Sequence, residues 1–220
     1  RAAQDFGRVW GTTRHSLARY LAGRCLPLPG CQLQESIPVC LLQYEKAGGG
    51  RSMNWRDLSV SVCGTYHECD GQPAYSGRFD EVLKFHAPGL APVKHGNKAW
   101  HVGPDGNAAY SRRFIRTFGF YEGFAAVQAQ DGWHHIRPDG SDAYSERYEW
   151  CGNFQGGRCT VRLRAGRYRH VLSDGSFSYP ETWRYAGDYK DGFCVVQSDA
   201  GLLYRLGLSG HGFATQAAFC

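Results

Sequence analysis

The chain has 220 residues, among them 29 glycines, 13 tyrosines, 12 phenylalanines, 6 tryptophans and a single methionine, Met53. Many glycines with many aromatics predict short strands and tight turns in place of helices, and no apolar run approaches the roughly 18 residues of a membrane-spanning helix. The net charge of +5 sits in residues 1–56, which hold eight Lys/Arg against three Asp/Glu, while the rest of the chain holds 17 of each sign; so balanced a body argues against a phosphate-binding groove and against specific nucleic-acid binding.

The chain opens on Arg1, as expected of a processed, truncated or fragmentary polypeptide. Residues 7–24 lack acids and carry Trp10 with Arg8, Arg14, Arg19 and Arg24. That composition suits an organelle transit segment (mitochondrion or plastid) or an ordinary basic amphipathic helix. Residues 1–56 are expected to form a basic extension with some helix, an arm on which other protein subunits dock. Cys25, Cys31 and Cys40 lack the spacing of a zinc site. Pro27 and Pro29 make the loop between the first two extended, and the Gly-rich 45–51 reads as a linker or hairpin loop.

Beyond residue 56 the chain repeats itself. Asp70-Gly71, Asp105-Gly106, Asp139-Gly140 and Asp174-Gly175 recur at spacings of 35, 34 and 35. Four residues after each glycine stands Tyr75, Tyr110, Tyr144 or Tyr179, and four further on Phe79, Phe114, Tyr148 or Trp183. Gly89, Gly123, Gly157 and Gly192 then lead short apolar runs ending at Val93, Val127, Val161 and Val196. A fixed period of this length marks a tandem repeat architecture, with units near 66–99, 100–133, 134–168 and 169–203 and a tail at 211–220. In the unit from 133, WHHIRPD predicts a first strand and Asp139-Gly140 its turn. AYSERYEW predicts a second strand, and RCTVRL, after a glycine-containing loop, a third. Such a three-stranded meander cannot bury its aromatic face alone, so neighbours must stack. Residues 57–62 match a third strand and 204–210 a first, an offset that allows a propeller-like ring or an open stacked array.

The pattern of an aromatic residue followed by His, then Asp-Gly, Ala-Tyr-Ser-x-Arg-Phe and Gly-x-Ala-x-Val resembles the WG-type β repeats, over residues 57–210. The Trp-Gly pair of that family stands here as Trp100-His101 and Trp133-His134. The resemblance implies an all-β antiparallel repeat module and transfers no catalytic residue.

His67, His101, His135 and His170 recur once per repeat. Equivalent strands lie too far apart for the four to converge on zinc, so each is expected to hydrogen-bond across its own turn, to the repeat Asp, and no metal or cofactor is assigned. The tyrosine and tryptophan ladder suits core packing better than a stacking platform, although Trp100 and Trp133 are candidates for a binding surface. Arg78, Arg113 and Arg147 are expected to form an exposed row, pairing with Asp80, Glu146 and Glu149 or contacting an acidic partner. The nine cysteines are an odd number, and Cys159 and Cys194 take the place of Ala125 in another repeat. Small buried thiols of this kind predict a reducing, intracellular compartment. Nucleophile-elbow, phosphate-loop and metalloprotease motifs are absent. The sequence therefore points to a non-catalytic scaffold or protein-interaction module, an accessory subunit of a larger assembly. The alternatives are a glycan- or small-ligand-binding domain and the targeting domain of a larger enzyme.

Overall fold

A computed structural model of the chain describes residues 53–210, and 212–214 as a strand. Contacts divide the chain into Arg1–Gly49 and Gly50–Cys220. The expected docking arm, with Arg8, Trp10, Arg14, Arg19 and Arg24, lies outside the described residues, as do Cys25, Cys31 and Cys40. The described part opens on a 3-10 turn, Trp55–Asp57, capped by the Asn54 side chain. Trp55 packs with Leu58 and Val60 into the first core, so the β body already includes residues before 57.

Among the described residues five antiparallel sheets follow in chain order, so this part of the chain is all-β, as the glycine and aromatic content predicts. The first holds β1 (Ser59–Val60), β2 (His67–Cys69) and β3 (Gln72–Pro73). The second holds β4 (Glu81–Val82), β5 (Ala91–His95) and β6 (Lys98–Val102). The third holds β7 (Arg116–Tyr121), β8 (Phe124–Ala129) and β9 (Gly132–Ile136). The fourth holds β10 (Trp150–Cys151), β11 (Cys159–Arg162) and β12 (Tyr168–Val171). The fifth adds an edge strand: β13 (Tyr185–Ala186), β14 (Phe193–Gln197), β15 (Leu203–Gly207) and β16 (Gly212–Ala214).

The sheets are out of phase with the sequence units. Residues 143–149 do not form the expected second strand; they cross from one sheet to the next through bends. One arginine nitrogen keeps this connector bent, because Arg147 donates to the carbonyls of Tyr144, Ser145 and Glu146. Each of the later sheets therefore joins the last two strands of one unit to the first strand of the next.

Turn chemistry explains the glycine markers. Gly106, Gly140 and Gly175 have φ of +77°, +82° and +86°, where a side chain is disfavoured. The preceding aspartate accepts from the backbone just past the turn, as Asp139 does from the Ser141 N–H at 2.9 Å. The hairpins leading into β8 and β14 turn on Glu122-Gly123 and Asp191-Gly192, with positive φ at both residues, the twist that a two-residue hairpin needs.

Each sheet has two unlike faces. Pairing puts His101 opposite Pro92, His135 opposite Ala126 and His170 opposite Thr160, so these share one face. The back face carries Ala91, Val93 and Val102 in the second sheet, and Cys159, Val161 and Val171 in the fourth, all buried. The cores lie between sheets: Ala126 and Trp133 of the third pack with Cys151, Cys159 and Val161 of the fourth. Cys159 and Cys194 are buried free thiols in the place of Ala125.

Candidate functional site

The repeat histidines are the first place to look for chemistry, and the structure commits all four to holding the fold. Nε2 of His67, His101, His135 and His170 lies 2.8, 2.8, 2.9 and 2.8 Å from the carbonyls of Leu83, Phe118, Gly152 and Gly187. A carbonyl only accepts, so Nε2 carries the proton and Nδ1 must accept. It does so from the repeat tyrosine: His67 from Tyr75 and His101 from Tyr110 at 2.5 Å, His135 from Tyr144, and His170 from Tyr179. The expected bond to the turn aspartate is not made, because that carboxylate is turned to the backbone of its own loop. Burial disfavours the imidazolium, pushing His101, His135 and His170 down to about 4. With both nitrogens engaged, none of these rings has a free lone pair with which to bind a metal or act as a base, and among the described residues no three His, Cys, Asp or Glu side chains gather around a point.

The tyrosines do a second job. A Cβ on Gly106 would meet the Tyr75 ring at 2.6 Å, one on Gly140 the Tyr110 ring at 2.6 Å, and one on Gly175 Tyr144 at 2.6 Å. The ring that caps one unit's histidine is thus seated on the bare turn of the next. The fixed spacing of nine between His and Tyr (101 to 110, 135 to 144, 170 to 179) was the sequence signal for this pairing.

The predicted binding surface is largely spoken for. Trp133 is 7% exposed and stacks on Phe118 at 5.5 Å, so it cannot be an open platform. It is also one position out of register with Trp100: Trp133 shares the His135 face, whereas Trp100, paired with Val93, lies on the back of its sheet. Trp100 is half-buried beneath the Arg113 guanidinium, 4.4 Å from the ring centre. Arg78 covers Tyr66 in the same way at 4.0 Å, and Arg78 and Arg113, like Arg147, tie three consecutive carbonyls of their connectors. The expected partners are not used. Arg147 pairs with Asp131 and Asp142, while Glu149 goes to Arg162 and Asp80 to His95.

Among the described residues, the histidine-side face of the fifth sheet is open and apolar. In the preceding sheets this face is covered by the next unit. Ala126 is 0% exposed and Thr160 is 1% exposed; the Thr160 hydroxyl donates to Asp188 at 2.7 Å. Glu122, on the hairpin of the third sheet, accepts the Gly156 and Gly157 N–H groups at 2.7 and 2.8 Å. In the fifth sheet Val195 takes the position of Thr160, opposite Arg205 in the position of His170, and Val195 is 45% exposed. Phe193 and Tyr185 are exposed beside it, and Arg205 lies over Phe193 at 4.0 Å. Asp188, Lys190 and Asp191 rim a shallow depression of about 350 Å³ here.

No protein-family model matches the chain, and no curated protein matches it in sequence. Solved structures resemble it distantly. BamB from Moraxella catarrhalis shares 13% identity at a TM-score of 0.45, covering 66% of this chain and 53% of that one. The computationally designed Ika8 protein shares 14% at 0.47, covering 74% and 62%. The WD40 β-propeller domain of Doa1 shares 13% at 0.39, covering 71% and 63%. The chain thus spans about half the length of BamB and under two thirds of the other two.

Proposed function

We propose that this chain is a non-catalytic β-repeat module of the WG type that presents a protein-interaction surface, as an accessory subunit of a larger assembly. The observation that carries this reading is the open face around Val195, apolar and exposed where the corresponding residues of the third and fourth sheets are buried. Exposed apolar area at a place built for burial is the mark of a contact surface. The WG assignment rests on the recurring turn, histidine and tyrosine.

Affinity capture of the full chain from native lysate, analysed by cross-linking and mass spectrometry, tests the reading. We expect stable protein partners, cross-linked near Val195 and lost with Val195→Asp. Partners lost on deleting residues 1–40 would place docking on the basic arm. Recovery solely as a free monomer overturns the proposal.

A further inference from the structure

We infer that the open face of the fifth sheet binds a second copy of this chain, face to face across a two-fold axis. The inference rests on the interaction reading above and names the partner at that face.

Three observations lead to it. The parts that lock one unit onto the next are missing here: Arg205 stands where the histidine stands in the earlier sheets, and Ala214 where the tyrosine stands. An arginine has donors and no acceptor, so the Tyr–His bond of the internal contacts cannot form, and another repeat of the same kind would sit there unlatched. The opposite end of the stack does not match this face either. The back of the first sheet carries Ser59 and Glu68, paired with each other, where the second carries Ala91 and Val102. A head-to-tail contact would press Val195 and Phe193 onto those polar groups. The face does match itself. Phe193 and Val195 form its apolar centre, and two bases, Arg205 and Lys190, stand with two acids, Asp188 and Asp191, around it. A contact that pairs one patch with its own copy needs this self-complementarity. Glu122 already shows a hairpin carboxylate reaching across to a neighbouring body, and Asp191 holds the same place in its own hairpin.

Sedimentation velocity of the full chain over a wide concentration range tests this. We expect a monomer–dimer equilibrium with nothing larger. Val195→Asp should weaken the dimer at least tenfold while leaving the far-UV circular dichroism unchanged, since the side chain is 45% exposed, and any fall in melting temperature should vanish at concentrations where the wild-type chain is monomeric. Arg205→Glu and Asp191→Arg should each weaken it alone, and mixing the two should restore a heterodimer, because a two-fold axis then re-forms both ion pairs. A monomer at every concentration overturns the inference, as does a dimer indifferent to all three substitutions, or a series of higher oligomers, which would mean head-to-tail stacking. A monomer whose capture of other proteins is still lost with Val195→Asp overturns the dimer alone. A monomer whose capture is unchanged by that substitution overturns the assignment of this face as well.

Discussion

An imidazole that donates from Nε2 to a carbonyl can be satisfied at Nδ1 only by a donor, and at His135 the Tyr144 hydroxyl supplies it. Both groups are buried, so no water replaces a lost partner. Tyr144→Phe keeps the ring against Gly175 and removes the hydroxyl alone. We expect it to cost about 1–3 kcal/mol, the usual penalty of a stranded buried acceptor, read as a lower urea midpoint at unchanged slope. Individual residues of this kind were partly legible in the sequence. The histidines recur visibly, but the sequence named Asp139 as the partner of His135, since it lies four residues away and Tyr144 nine. Proximity along the chain misled because the turn aspartate has a nearer donor, the Ser141 N–H.

At the scale of the element, glycines tell two stories that a substitution can separate. Gly123 and Gly140 both have positive φ, but a Cβ at Gly123 meets nothing within 4 Å, whereas one at Gly140 meets Tyr110 at 2.6 Å. Gly123→Ala is expected to cost about 1 kcal/mol from backbone strain alone. Gly140→Ala adds the displacement of a ring wedged between units and should cost roughly 2–3 kcal/mol or more, measured by the same denaturation series. The turns were readable because positive φ leaves glycine almost no competitor. The phase of the sheets was not, because a period fixes the length of a unit and says nothing about where the chain changes sheet. AYSERYEW has the alternation of a strand, yet Arg147, by gathering three carbonyls, bends it into a crossover. Trp133 shows the same weakness: a Trp-His pair in sequence matched Trp100-His101, while the pairing of β9 sets it one residue out of step.

Across the whole molecule the histidines act together. His101, His135 and His170 each belong to a different inter-sheet contact, and burial holds all three down to about 4, against an ordinary 6.5. A depressed imidazole favours the fold while the unfolded chain is also neutral. That support is complete above pH 6.5, drains as pH falls and the unfolded chain takes up protons, and is gone near pH 4, where the folded rings protonate as well. Each ring contributes a slope of up to about 1.4 kcal/mol per pH unit within that window. Chemical denaturation at about pH 8.5, 7.5, 5.5 and 4.5 is expected to show little change between the first two and a steep decline across the last two. A flat profile would show that these rings do not carry the proton linkage. The all-β character of the described residues was legible from glycine, aromatic and period. The open face of the fifth sheet was not, because Val195 looks like any other strand valine until Thr160 and Ala126 are seen covered.

The seating of each tyrosine on the following turn has a consequence for how the protein is made. A nascent chain leaves the ribosome from its amino end, so Tyr75 must wait for Gly106, Tyr110 for Gly140 and Tyr144 for Gly175 before its ring has a floor. Wherever translation stalls inside the array, the newest ring is left hanging. Premature termination in this gene therefore yields an unfinished last rung in the ladder and not simply a shorter ladder.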